Sequence, residues 1–120
     1  MVAINFTLPN AKELIRSGRK TTTIRRSSLE RIRQFGQMDD LELYWMQGTS
    51  ECERIADATL VGFRVIDHLL DWIDSQSLEV VERDGFSDGA EMRSWFMNHY
   101  GDGVNEMEFL LIEWRIKGVG

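Results

Sequence analysis

The sequence predicts an α+β domain built on a curved or barrel-like sheet. Strand-like segments outnumber helical segments in the middle of the chain, and the helical segments fall between strands without strict strand-helix-strand alternation. The chain has 120 residues, of which 42% are hydrophobic and one is proline, and this composition supports a single core without disulfides or metals. We therefore expect one domain over residues 1–120, and not a doubly wound fold.

The first half of the chain is predicted to be mainly strand. Pro9 near a helix start and Gly18 just past a helix end bracket one short helix. On the strand that follows, Thr23 and Arg25 share one face because side chains alternate across a strand. Segments rich in β-branched and aromatic residues, typical of strands, are residues 3–7, 21–26, 41–46 and 56–67.

The second half is predicted to be helical up to a final strand. Residues 68–83 hold one or two short helices, and the Asp84-Gly85 turn signal follows them. Asp88 and Glu91 have the spacing of a capping box at the start of the next helix. That helix carries one apolar stripe, formed by Met92, Trp95, Phe96, His99 and Tyr100. Residues 107–116 alternate as a largely buried strand does.

Charge and cysteine content exclude several classes of protein. The net charge of -6 argues against broad attraction to long polyanions, yet residues 1–36 carry eight Lys or Arg against two Glu. A single cysteine, Cys52, permits no internal disulfide and favours a reducing compartment. The sequence has no signal-like or membrane-spanning apolar run and no metal-ligand spacing, so we expect a cytoplasmic protein without metal or cofactor.

The basic segment contains an unusual run, GRKTTTIRR, over residues 18–26. A lysine after a helix end, beside a strand with threonine and arginine, brings a cation, a hydroxyl and a guanidinium to one pocket rim. Threonine becomes a nucleophile when a base takes its proton, and lysine is such a base when burial or nearby cations lower its pKa. The alternative is structural, with the threonines acting as edge-strand formers and Lys20 as a solvated cation.

Residues 18–25 resemble the G-x-K-x-x-T-x-R signature of the ASCH domain family, whose domains are related to the PUA fold. Three later stretches are similar to the second half of that family: RDGF at residues 83–86, RSWFMNHYG at 93–101 and EFLLIEWRI at 108–116. The resemblance covers most of the chain in order. It implies a PUA-like (ASCH) β-barrel with helices packed at its ends, and a cleft lined by the lysine, threonine and arginine of the signature.

One bacterial branch of the family removes the acetyl group from N(4)-acetylcytidine with a lysine, a threonine and an acidic residue. The signature falls on Lys20, Thr23 and Arg25, and the acidic position falls on Asp84, with Glu82 as a nearby alternative. The resemblance thus implies an amidohydrolase with Lys20 as general base, Thr23 as nucleophile or water-positioning group, Asp84 or Glu82 as acid/base partner, and Arg25 as oxyanion donor.

The same cleft also fits two other functions, a non-catalytic RNA- or nucleotide-binding module and a ribonuclease. Its partner is then a nucleoside or a short single-stranded RNA. Candidate phosphate and base contacts are Arg16, Arg19, Arg26, Arg31, Arg33, Phe35, Tyr44 and Trp45. By periodicity, Trp95 is predicted to belong to the core, and His99 to be a hydrogen-bonded, partly buried residue and not a ligand.

Overall fold

A computed structural model describes residues 2–118. Within that range the chain forms five strands, five α-helices and one 3-10 helix. In chain order they are β1 (Val2–Phe6), α1 (Ala11–Arg16), β2 (Thr22–Arg26), α2 (Leu29–Gln37), β3 (Asp40–Trp45), β4 (Glu53–Ile66), α3 (Leu69–Ser75), α4 (Leu78–Arg83), α5 (Gly89–Tyr100), the 3-10 helix (Asp102–Glu106) and β5 (Phe109–Ile116).

The five strands form one curled mixed sheet in the order β1-β3-β4-β5-β2. The β1 and β3 strands are parallel, and the other neighbours are antiparallel. The long β4 strand changes register between Leu60 and Gly62, and such an irregularity increases the local bend and twist of a strand. The predicted α+β class is confirmed. The sheet is a half-barrel whose two edge strands are β1 and β2.

The β5 strand separates two hydrophobic cores. Leu110, Ile112 and Trp114 pack inside the curled sheet, and Phe109 packs against the helices on the other face. This is the alternation that the sequence predicts for the last strand. Both cores therefore hold β5 rigidly, and β5 in turn supports its neighbour β2, which carries the signature residues.

The helices follow the sequence prediction with one addition. The 68–83 segment forms two helices, α3 and α4, and α4 ends at Arg83. Asp88 caps α5, since its side chain accepts a hydrogen bond from the Glu91 backbone N–H at 2.8 Å. The α2 helix was not predicted; Ser28 caps it, and Phe35 anchors it in the core. Among residues 2–118, no helix has the length and apolar character needed to cross a membrane.

Candidate functional site

A cavity of about 200 Å³ lies where the two sheet edges approach the α5 helix. One wall comes from β1, from β2 and from Lys20, which lies two residues before β2. The opposite wall comes from α5, and the turn between α4 and α5 completes the lining. The polar lining residues that the signature predicted are Lys20, Thr23, Arg25 and Asp84. The structure thus brings these four residues together, while their chemical roles stay predictions.

Lys20 is buried and its amine is held by two carbonyl groups. The chain turns after α1 at Gly18, which has φ +81°, and the Lys20 backbone N–H bonds to the Leu14 carbonyl. Only 5% of Lys20 is exposed. Its Nζ donates to the main-chain carbonyl of Thr22 at 2.8 Å and to that of Asp84 at 2.5 Å. Two backbone acceptors therefore fix the amine beside the cavity.

Gly85 makes room for the Lys20 side chain. A Cβ atom at Gly85 would lie 3.2 Å from Cδ and 3.5 Å from Nζ of Lys20. Gly85 also has φ +98°, a backbone conformation that side-chain-bearing residues rarely adopt. The glycine of the RDGF stretch is therefore needed both for the turn and for the close approach of the lysine.

The environment of Lys20 favours its neutral form. The pKa of Lys20 is lowered to about 8, mainly by burial; Asp84 opposes this shift, and the neighbouring Arg25 contributes to it. A neutral amine has two N–H donors and one lone pair. Because the two carbonyls take both donors, the lone pair is the position left for the cavity. This is the arrangement that a general base needs.

Two adjacent threonines have different surroundings. The Thr22 hydroxyl donates to Oδ1 of Asp84 at 2.8 Å and so is already paired. Thr23 is only 5% exposed and lines the cavity, and its hydroxyl forms no hydrogen bond with another group of residues 2–118. The alternation of β2 produces this difference, because neighbouring side chains point to opposite faces. Thr23 is therefore the hydroxyl that remains for a ligand.

Asp84 is a buried acid that touches Lys20 through its backbone. The residue is 4% exposed, and burial raises the pKa of its carboxyl group, against the opposing effects of Lys20, the Thr22 hydrogen bond and Arg25. Lys20 donates to the Asp84 carbonyl, whereas the carboxylate accepts from Thr22. Asp84 thus positions the lysine and supplies a carboxyl group at the cavity wall.

Arg25 bridges the open seam of the half-barrel. Its Nη2 donates to the main-chain carbonyl of Asn5 at 2.7 Å, so a side chain of the edge strand β2 binds the backbone of the other edge strand, β1. The guanidinium also lies over the Phe6 ring, with 5.0 Å between Cζ and the ring centroid. Lys20 lies over the same ring at 5.6 Å. Phe6 therefore orients both cations of the site.

Aromatic residues of α5 line the cavity opposite the cations. Trp95 and His99 are stacked, with ring centroids 4.7 Å apart and an angle of 9° between the ring planes. Both lie on the cavity wall together with Tyr100. The prediction of a partly buried His99 is wrong, because His99 is exposed, whereas Trp95 packs against the core as predicted but is only partly buried. The apolar stripe of α5 is buried at Met92 and Phe96 but reaches the cavity at the C-terminal end of the helix. The hydrophobic period of the sequence does not show where along the helix this change occurs.

Several other predicted site residues do not line this cavity. Glu82 is exposed and lies with Arg19 in a separate surface depression, so Asp84 is the acid at the site. Arg26 is directed toward Met107 and Phe109. Tyr44 donates to Glu42, and Trp45 receives the Lys12 ammonium over its ring.

Two of the candidate RNA contacts are engaged elsewhere. Phe35 is only 5% exposed and packs against Phe63, so it cannot stack on a base in this structure. Arg16 donates to two carbonyls near the start of β4 and pairs with Glu53. In residues 2–118 no cluster of three or more His, Cys, Asp or Glu residues could hold a metal ion.

The comparisons with known proteins identify the fold. No family model and no curated protein matches the chain. Among solved structures, the hypothetical protein PH0355 has a TM-score of 0.64 at 18% identity, with coverage of 97% of this chain and 99% of the other. PF0455 from Pyrococcus furiosus has a TM-score of 0.56 at 14% identity, covering 97% and 98% of the two chains.

A third similar structure is a mutant of the protein ZmASCH from Zymomonas mobilis, with a TM-score of 0.52 at 18% identity. The match covers 94% of this chain and 67% of that one. Identities this low show the fold alone. The chain has an ASCH-type fold, as the signature over residues 18–25 implied.

Proposed function

We propose that the cavity is the active site of an amidohydrolase that removes the acyl group from an N-acylated nucleoside of the N(4)-acetylcytidine type. The observation that carries the proposal is that a buried lysine with a lowered pKa and a threonine line the same cavity. Neither feature is needed to stabilise a sheet edge, and together they have the chemistry of a base and a nucleophile.

The volume and lining of the cavity suit a ligand the size of a nucleobase. Its volume of about 200 Å³ is below the roughly 300–1,000 Å³ of sites for drug-sized ligands. Phe6, Phe86 and Trp95 supply flat apolar walls for a planar ring. Stacking on aromatic side chains is the usual way in which proteins bind an unpaired base.

The proposed reaction assigns one role to each polar group. Lys20 takes the proton of the attacking group, which is the Thr23 hydroxyl or a water molecule bound to it. The oxygen adds to the acetyl carbonyl carbon, and Arg25 donates to the carbonyl oxygen as it becomes negatively charged. The carbon–nitrogen bond then breaks, and the amine leaves with a proton returned from Lys20. If water attacks, this step releases acetate and cytidine directly; if Thr23 attacks, the acetyl ester on its hydroxyl is then hydrolysed by a water molecule, which releases acetate and restores the hydroxyl.

The test is incubation of the purified protein with N(4)-acetylcytidine, with chromatography to follow release of cytidine. Thr23→Val keeps the β-branched shape but removes the hydroxyl, and we expect it to lower the rate by roughly a hundredfold, as the loss of a catalytic group commonly does. Thr59→Val makes the same change on β4, away from the cavity, and should keep the parental rate. Absence of turnover by the parent, or equal rates for the parent and Thr23→Val, contradicts the proposed roles.

A second function, binding of a nucleotide or RNA base without chemistry, is favoured by one observation. The stacked Trp95 and His99 form an aromatic platform on the wall opposite Lys20, and His99 is exposed. Such a platform binds a base whether or not a reaction follows. Measurable binding of cytidine by a parent protein that shows no turnover would favour this function over hydrolysis.

A further inference from the structure

A second cavity, of about 490 Å³, lies on the other side of the Arg25 bridge. It runs along the free edge of β1 and is covered by α2 and its capping residue Ser28. Asn5 and Arg25 line both cavities. Arg25 and Asn5, joined by their hydrogen bond, therefore form the wall between the two cavities. A ligand in the first cavity lies next to the second cavity.

The second cavity holds two cations that lack an acidic partner. Arg25 and Arg31 both line it, and neither forms an ion pair with a carboxylate in the part of the chain that the structure describes. Burial lowers the pKa of Arg25 and the nearby Arg31 guanidinium lowers it as well, whereas Asp84 and Tyr100 act in the opposite direction without forming an ion pair with Arg25. The acid in the lining, Glu30, is exposed and forms no ion pair with either arginine. Two guanidinium groups that repel each other in this way form a site that an anion would stabilise.

Neutral donors complete the lining. The Ser28 oxygen accepts a hydrogen bond from the Arg31 backbone N–H at 3.1 Å, which leaves the Ser28 hydroxyl proton to donate. Gln34 and Gln47 add amide groups to the same wall. Cationic, hydroxyl and amide donors around one space are the groups that proteins direct at phosphate oxygens.

We propose that the second cavity binds the phosphate of a nucleotide whose base occupies the first cavity, with Arg25 and Arg31 as its cationic partners. The inference rests on the proposed function only in placing a base in the first cavity. It assigns the substrate class: a nucleotide, free or within a short single strand, is bound more tightly than the nucleoside. The volume of the second cavity exceeds that of the first and leaves room for the sugar as well as the phosphate.

The test is calorimetric titration with cytidine, cytidine 5′-monophosphate and cytidine 3′-monophosphate. Cytidine is the product of the proposed hydrolysis, so turnover does not disturb the measurement. We expect one of the two monophosphates to bind about tenfold more tightly than cytidine, because it gains charge-assisted hydrogen bonds. This advantage should shrink as salt is added, since exposed ionic contacts are screened.

Arg31→Gln and Arg33→Gln form a matched pair, because both residues are exposed on α2 but only Arg31 lines the cavity. Arg31→Gln should weaken binding of the preferred monophosphate about tenfold and leave cytidine binding unchanged, and Arg33→Gln should change neither. Monophosphates that bind no more tightly than cytidine, equal losses in the two variants, or absence of binding by all three compounds would overturn the inference.

Failure of this inference and failure of the proposed function are distinguishable. Turnover of N(4)-acetylcytidine without any preference for a monophosphate would contradict the proposed phosphate site and support the proposed hydrolase activity. A preference for a monophosphate that depends on Arg31, in a protein that does not hydrolyse N(4)-acetylcytidine, would contradict the hydrolase activity and support the phosphate site.

Discussion

At the scale of single residues, the site depends on one buried amine. Lys20 carries a proton at low pH in a place where burial disfavours the charge, and two carbonyl acceptors hold the amine there in either protonation state. A buried lysine adds little to stability compared with an apolar residue of the same length. Its presence is better explained by the chemistry of the cavity than by packing.

The lowered pKa of Lys20 predicts how stability depends on pH. The folded pKa is about 8 and the value for an unperturbed lysine is 10.5, so between these values the unfolded chain binds more protons than the folded one. The stability that Lys20 contributes must therefore rise as pH rises through this window. Relative to Lys20→Met, we expect the free energy of unfolding of the parent to increase by up to about 3 kcal/mol between pH 7.5 and 10.5.

Urea denaturation at a series of pH values measures this change. Lys12→Met, at a lysine that forms a surface ion pair with Glu53, controls for replacement of a lysine by methionine. A stability difference between the parent and Lys20→Met that stays constant over this pH range would show that the folded pKa of Lys20 is not lowered.

The sequence identified the polar residues of the site better than the aromatic ones. Lys20, Thr23 and Arg25 are close together in the chain, so a strand with known alternation places them on one wall. Trp95 and His99 come from a helix about seventy residues later in the chain, and their position at the cavity depends on how α5 packs. That packing is a tertiary property, which the hydrophobic period of a helix does not contain.

At the scale of elements, the short turn between α4 and α5 is the most constrained connection. Asp84 and Gly85 follow α4 directly; Asp84 supplies a carbonyl to Lys20, and Gly85 leaves space for its side chain. The strands and the α3 to α5 helices were predictable because their periods are clear. The α2 helix was missed although its sequence carries the signals of a helix, since Ser28 caps it and the core residues Ile32 and Phe35 lie on the face opposite its exposed arginines.

Comparison of Gly85 in this turn with Gly48 in the β3–β4 connection separates the cost of backbone strain from the cost of crowding. Gly85 and Gly48 both have positive φ, +98° and +87°, but a Cβ atom at Gly48 would meet nothing within 4 Å. We expect Gly48→Ala to cost about 1 kcal/mol of stability from backbone strain alone. Gly85→Ala should cost about 2–3 kcal/mol, because the new methyl group also displaces Lys20.

The measurement is the midpoint of urea denaturation of both variants, with turnover of N(4)-acetylcytidine as a second readout. Gly85→Ala should lose activity as well as stability, and Gly48→Ala only stability. Equal losses of stability for the two variants would mean that the Gly85 position has no role in accommodating the lysine.

At the scale of the whole molecule, the N-terminal segment is basic and the rest of the chain is acidic. Ion pairs between the two parts neutralise some of this charge in the fold. Lys12 and Arg16 of the basic N-terminal segment pair with Glu53. Arg25 and Arg31 have no such partner within residues 2–118. These two arginines therefore place unpaired positive charge at the open seam of the half-barrel, in a molecule of net charge -6. This distribution suits a small anion better than a long duplex.

The topology explains why the cavities lie at this seam. A five-stranded sheet that curls without closing leaves β1 and β2 as edges, and their unpaired backbone groups need partners. Arg25 satisfies one of them, the Asn5 carbonyl, and the space on either side of this bridge forms the two cavities. The fold class was predictable from the order of elements, whereas the open seam required knowledge of which strands pair.

If Lys20 is the general base, its protonation must control the pH dependence of hydrolysis. The rate of cytidine release from N(4)-acetylcytidine should rise with pH and level off above about pH 8, where Lys20 becomes neutral. Lys20→Met should lose this rise and fall in rate by about a hundredfold or more, while Lys12→Met keeps the parental profile. A Lys20→Met variant that retains the parental rate and pH profile would contradict the account.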